Sequence, residues 1–217
     1  MKKSASLHLF EGYGIELEYM IVDKSTLDIL PISDELLRKA AGKYTNEFDN
    51  GAFGWSNEFV LHVLELKNNI PTREFQVLLD GFNEQVSIIS HILEPMGGRL
   101  MPSGMHPWME PLKETKLWTH RNKHIYETYH RIFNCKRHGW ANIQSVQINI
   151  SFDGDEEFGR LHAAIRLILP LIPALAASSP IAEGKLTGIN DTRLSFYTVN
   201  QRKIPSIMGM VIPEPVY

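Results

Sequence analysis

The sequence predicts a mixed α+β fold, an antiparallel sheet with helices packed against it. Three features carry that expectation. Strand-like segments are separated by hairpins and long helical patterns, not by the regular strand–helix–strand alternation of a doubly wound sheet. The clearest strand, residues 145–152, puts Val146, Ile148, Ile150 and Phe152 on one side and Ser145, Gln147, Asn149 and Ser151 on the other. The clearest helix opens after Pro71-Thr72, carries Phe75, Leu78, Leu79, Phe82, Val86, Ile89 and Leu93 at helical spacing, and is stopped by Pro95 and Gly97-Gly98.

The remaining elements follow in order. Residues 13–22 alternate and are rich in β-formers, which predicts a strand. Ser33-Asp34 opens a short helix over 35–41 that Gly42 stops. Residues 59–66 read as a second strand, and 99–101 as a short one leading into the loop 102–107. Residues 117–133 read as a helix bearing His120, His124 and the stretch from Tyr126 to Tyr129. After the strand at 145–152, Asp153 and Glu156 have capping-box spacing ahead of a helix with Phe158, Leu161, Ile165, Ile168 and Ile172. Pro170 must kink or end that helix. Ser178-Ser179-Pro180 closes the segment, and a loop runs to Arg193. The tail 208–217 holds Pro213 and Pro215 and no closing element. The expectation is one domain, residues 1–217, that stops before its fold is complete.

Composition sets outer bounds. With 43% hydrophobic and 22% charged residues, the chain can bury a core. A net charge of −3 argues against nucleic-acid or anionic-membrane partners. The single cysteine, Cys135, excludes an internal disulfide; its basic flank 136–138 could support a thiolate, but the plainer reading, an ordinary semi-buried cysteine in a reducing compartment, is preferred. The longest apolar run, 167–177, is interrupted by Pro170 and Pro173 and is too short to span a membrane. No apolar segment of signal-peptide length follows Met1-Lys2-Lys3, so the expected location is the cytoplasm.

Several polar residues stand in positions that suit chemistry. Glu16 and Glu18, at i and i+2 of a strand, leave the same face. Two adjacent carboxylates suit a hard cation such as Mg2+ or Mn2+, although the pair alone is more simply read as the charged face of an edge strand. Glu65 interrupts an apolar strand, where a carboxylate needs a partner or a metal. Glu58, seven residues earlier, falls on the opposite face of an ideal strand and reaches Glu65 only across a bulge or turn. Gln147 and Asn149 line a wholly polar strand face that meets either ligand or solvent. His106 is held in a loop rich in proline and glycine, presented there or packed on Trp108. Arg193 ends a glycine-containing loop able to wrap an anion, and arginine recognises carboxylate or phosphate through paired N–H groups; a surface ion pair is the plainer alternative. No Ser–His–Asp or metal-binding histidine spacing occurs.

Taken in order, these segments resemble one family. Gly14-Ile15-Glu16-Leu17-Glu18 resembles the G-x-E-x-E opening of glutamate–cysteine ligases, and Val63-Leu64-Glu65-Leu66-Lys67 their second acidic strand. Residues 103–108 resemble the glycine–x–His–Pro loop of the bacterial carboxylate–amine ligase branch. Residues 144–149 resemble a strand that reads H-V-H-V in some members and Q-V-N in others. Residues 175–193, with ALAASSP and then G-x-N-D-x-R, resemble the stretch ending in a substrate arginine. Each block is weak alone; the ordered set of five, covering nearly the whole chain, is specific.

The resemblance implies a glutamine-synthetase-like fold, a curved antiparallel sheet with helices on its outer face. By position it implies Glu16, Glu18, Glu65 and Gln147 as metal contacts. It implies Arg193, Gln147, Asn149, His106 and Glu58 as substrate contacts. Gln147 stands where many bacterial members have histidine, which leaves the metal preference open. The implied reaction uses ATP and Mg2+ or Mn2+ to join the γ-carboxylate of glutamate to an amino compound through an acyl phosphate, in a homo-oligomer, as in glutathione biosynthesis. Family members continue to a late E-x-R strand that nothing after Met208 resembles. The second reading is therefore a catalytically incomplete amino-acid- or nucleotide-binding domain of the same fold.

Overall fold

A computed structural model describes residues 6–204. The tail expected to lack a closing element lies outside the described residues. The sheet is organised around β1 (Tyr13–Asp23), whose eleven residues alternate polar and apolar until Met20-Ile21-Val22, which is buried on both faces. Then follow α1 (Ser33–Ala41), β2 (Glu47–Asn50), β3 (Phe53–Asn57), β4 (Val63–Asn68), α2 (Phe75–Leu93), a 3-10 turn (Glu94–Met96) and β5 (Gly98–Met101). The second half holds α3 (Pro111–Glu114), α4 (Lys123–Phe133), α5 (His138–Ala141), β6 (Val146–Ile150), α6 (Gly154–Ile168) and α7 (Ile172–Leu175). A small hairpin, β7 (Ile181–Ala182) and β8 (Lys185–Leu186), precedes α8 (Thr192–Tyr197).

Six strands form one open antiparallel sheet in the order β2-β3-β4-β1-β5, with β6 also pairing β1. β1 bonds β4 along one edge; its other edge is shared, residues 13–17 with β6 and residues 20–23 with β5. The mixed fold and antiparallel sheet expected from the sequence are both present.

One sheet face packs on α1 and α2. Ile21, Trp55, Leu64 and Leu66 meet Leu36, Leu37, Leu78, Phe82, Ile89 and Leu93 in a single cluster. Burying each such side chain contributes about 1.5–3 kcal/mol. The apolar stripe of α2 is narrower than its sequence suggests: Phe75 and Leu79 are exposed, and Gln85 is buried instead. Its Oε1 accepts from Trp55 Nε1 and Asn50 Nδ2, both at 3.0 Å, so the buried amide oxygen is satisfied. The other face is polar over the first half of β1 and apolar over the second. There Met20, Val22 and Val63 form a smaller core with Val60, Met109 and Ala141.

Four local expectations are corrected. The strand expected over 59–66 starts at Val63, because the chain turns at 60–63 and Leu61 N donates to the Lys116 carbonyl at 2.9 Å. The helix expected over 117–133 starts at Lys123; Asn122 is left-handed (φ +69°), and Leu117 bridges to Val60 in extended conformation. Asp153 stands at the N-cap of α6 as expected, but without a side-chain capping bond, and the glutamate that reaches back is Glu157, not Glu156: its carboxylate accepts from Asp153 N at 2.8 Å and Leu9 N at 2.9 Å. Those bonds and the His8 ring pull its pKa down to about 2. The loop expected before Arg193 contains the β7–β8 hairpin, and Arg193 itself lies in the first turn of α8. Pro170 ends α6 as expected, at Ile168. No helix among the described residues is long and apolar enough to cross a membrane.

Candidate active site

Strand register builds the polar face. Glu47, Ser56, Glu65 and Glu18 lie in one row across β2, β3, β4 and β1. Asp49, Gly54, Lys67, Glu16 and Gln147 form the next row, ending on β6. Asn149 lies beyond, opposite Gly14. Directly paired residues share a face, so Glu16, Glu18, Glu65, Gln147 and Asn149 stand together on it, as the alternation of their strands requires.

Within that face three carboxylates converge. Glu18, Glu58 and Glu65 each offer an oxygen, and these atoms all lie within 4.8 Å of one another. Glu58 reaches the group because β3 ends at Asn57 and the chain turns before β4. The turn cancels the strand parity that separates positions 58 and 65. Glu16 is outside the triad; its Oε1 accepts from Asn149 Nδ2 at 3.0 Å. Glu18 accepts from Ser145 N at 3.0 Å, Ser145 Oγ at 2.9 Å and Gln147 Nε2 at 3.2 Å. Glu65 accepts from Ser56 Oγ at 2.8 Å, with Lys67 Nζ 3.8 Å away.

Charge is crowded there. Burial, reinforced by the Glu18 and Glu65 carboxylates, pushes Glu58 up to about 8. Burial also raises Glu18, opposed by the hydrogen bonds from Ser145 and Gln147. A set of carboxylate oxygens with too little compensating positive charge fits a hard divalent cation such as Mg2+ or Mn2+. Glu18, Glu58 and Glu65 would hold it.

Two chambers flank the triad. One, of about 660 Å3, is floored by Glu18 and Glu58 and walled by Phe59, Tyr126, Tyr129 and Trp140. The other, of about 550 Å3, is lined by residues that include Ser103, Gly104, Gln144, Ser178 and Arg193. Glu18, Ile143, Ser145 and Tyr197 line both. The aromatic wall was not singled out from sequence, although tyrosines three apart in a helix were its visible signal.

Arg193 and His106 are positioned differently from each other. The Arg193 guanidinium donates to Asp191 Oδ1 at 2.9 Å, the Gln144 carbonyl at 2.9 Å and the Ala176 carbonyl at 3.0 Å, and still lines the chamber. His106 is fully buried: Nε2–H donates to the Leu27 carbonyl at 2.8 Å, and Nδ1 accepts from Trp108 N at 3.3 Å. Both ring nitrogens are engaged within the fold, which holds the loop 102–108 in place and leaves neither for a ligand.

Comparison with known proteins gives the family. A family model described as glutamate-cysteine ligase family 2 matches residues 13–215. An uncharacterized protein of Archaeoglobus fulgidus is 43% identical over 204 residues, 94% of this chain and 54% of that protein. Proteins provisionally named glutamate–cysteine ligase 2 from Leifsonia xyli and Methylibium petroleiphilum are each 24% identical, over 83% and 84% of this chain and 45% and 46% of their own. The chain thus spans about half the length of these relatives. It belongs to glutamate–cysteine ligase family 2.

Proposed function

We propose that this site serves an ATP-dependent carboxylate–amine ligase, which joins the γ-carboxylate of glutamate to an amino compound through an acyl phosphate. The observation that carries the reading is the convergence of Glu18, Glu58 and Glu65 between two chambers of unlike chemistry. Both ATP and the acid are anions, so their approach is opposed until charge is neutralised. A bound Mg2+ or Mn2+ supplies that neutralisation at the phosphate oxygens. Glu18, Glu58 and Glu65 hold the cation, and Ser145 and Gln147 fix the Glu18 carboxylate. Arg193 orients the acid from one chamber, while the aromatic wall keeps water from the other. Positioning and charge stabilisation carry such a reaction without a nucleophilic side chain.

The test is glutamate-dependent ADP release with Mg2+ against a panel of amines. Glu58→Gln and Glu18→Gln are each expected to lower it by about 100-fold or more, the scale of losing a metal ligand with its charge stabilisation. Glutamate and nucleotide binding without ADP release would instead favour a binding domain. Full activity in both variants would remove the triad from the chemistry.

A further inference from the structure

We infer that a third cavity, of about 320 Å3 and lined by parts of α3, α4, α5 and α8, binds a small aromatic anion, a single ring carrying a phosphate or comparable dianionic group. Glu18, Glu58 and Glu65 do not line it, so the inference stands apart from the ligase reading. Its cations are a sequence feature left without a use. The basic run 136–138 has no thiolate to support: Cys135 has no exposed surface, and burial pushes its thiol up to about 12. Lys136 and Arg137 line the cavity instead. Neither forms an ion pair among the described residues. The Arg137 guanidinium lies 3.2 Å from the Asn134 side-chain amide.

One carboxylate, Glu183, belongs to the described lining, and it lies beside His138, with Oε1 3.4 Å from Nε2. His138 Nδ1 accepts from Asn142 Nδ2 at 3.0 Å, and burial holds the ring below its ordinary pKa, so it adds no charge at neutral pH. Two cations thus face one carboxylate, in a chain whose 25 acidic residues outnumber its 22 basic ones. The local sign is opposite to that of the whole. The walls are aromatic. Phe133 stacks on Trp140 with ring centroids 5.6 Å apart and 23° between planes, and Phe196 packs on His138 at 4.6 Å. Gly139 lets α8 come this close: a Cβ there would lie 2.7 Å from the Phe196 carbonyl oxygen and 1.9 Å from Asn200 Oδ1.

The lining sorts the ligand by type. A neutral apolar ligand would leave both cations unanswered, and an inorganic anion would leave the ring walls unused. A small aromatic anion answers both: its ring gains from stacking as well as burial, and its charge from Lys136 and Arg137. Two cations favour a dianion over a monoanion. The volume is at the lower end for a ligand cavity, which limits the body to one ring. The cavity stands back to back with the aromatic chamber, since Gly139 and Trp140 line both. The aromatic chamber offers the contrast: its described lining residues include two glutamates and no lysine or arginine, so an anion is drawn to the Lys136 side.

The test is calorimetric titration of the full chain with phenyl phosphate, beside inorganic phosphate and benzyl alcohol, all without nucleotide or Mg2+. Phenyl phosphate is expected to bind about tenfold or more tighter than either of the others. The double variant Lys136→Gln, Arg137→Gln is expected to weaken it by about tenfold or more with Tm little changed, since neither residue is buried. Leu112 lines the cavity and is 74% exposed. Leu112→Glu, which adds a negative charge there, is expected to weaken phenyl phosphate by about threefold. Glu58→Gln is expected to leave it unchanged; tighter binding in that variant would place the probe beside the triad and overturn the inference. Equal affinity for inorganic phosphate would overturn it too, as would no binding of phenyl phosphate or an unchanged affinity in the double variant. If the double variant does not fold, Leu112→Glu decides: unchanged affinity overturns it. None of these readings uses ATP or glutamate, so ADP release judges the ligase proposal separately.

Discussion

The sheet with α1 and α2 and the segment from α6 to α8 are built on opposite plans. In the first, Ile21, Leu36, Leu37, Trp55, Leu64 and Leu66 have no exposed surface. In the second, α6 and α7 contain no buried residue, and Leu167 and Leu175 are 75% and 85% exposed. What places the second region is polar: the Glu157 cap that grips Leu9 and His8, and the three hydrogen bonds of Arg193. The densely packed region carries the acidic triad, and the lightly packed one carries Arg193. The placing of the three carboxylates thus rests on the global core, while that of Arg193 rests on local, separately adjustable bonds.

The largest expected effect tests the core side. Trp55→Ala should cost about 3–5 kcal/mol in urea unfolding, because it opens a cavity and strips a donor from Gln85. Leu175→Ala should stay within about 0.5 kcal/mol. Comparable costs would erase the contrast.

The acidic triad sharpens it through pH. Glu58 is raised in the fold to about 8, so between the ordinary carboxylate range and pH 8 the folded chain holds more protons than the unfolded one. Stability should therefore fall as pH rises through that window. Glu58→Gln should flatten the fall, read as Tm against pH, and a parent profile that rises instead would contradict the crowding. Mg2+ at neutral pH should raise Tm by mass action. Because Glu58 must lose its proton to bind, the Mg2+ shift should grow from pH 6 to pH 8. Glu18→Gln should abolish the shift, and a shift that survives would place the cation elsewhere.

The smallest effect concerns the uncovered apolar surface. Val146 and Ile148 on β6 are 67% and 63% exposed. The chain is expected to self-associate through such surface. Ile148→Lys should lower the light-scattering mass while changing stability by no more than about 0.5 kcal/mol.

Legibility followed the same divide. β1 and α2 were readable because their patterns are long and regular. The shared face of Glu16, Glu18 and Glu65 followed from strand spacing. Glu58 was not readable as a triad member, because the turn at 60–63 holds no glycine or proline and is made by bonds to residues distant in sequence. The β2–β3 hairpin escaped notice despite Asn50-Gly51, since Glu47, Asp49 and Asn50 give a four-residue strand little apolar signal. Alternation in β6 was plain, but a period of two does not say which side meets solvent, and here both sides do. His106 and Arg193 are also held by backbone carbonyls far along the chain, those of Leu27 and Gln144, and a carbonyl leaves no mark in a sequence.

The shared edge of β1 has a consequence for biosynthesis. Along that edge, residues 13–17 find a partner only when β6 emerges at 146–150, long after β4 is complete at Asn68. At ribosomal rates that interval lasts roughly 4–16 s. Through it the nascent hairpin displays an open strand edge, the feature most prone to pairing with a neighbouring polypeptide. Glu16 and Glu18 lie on that strand, and charged side chains on an open strand disfavour such pairing.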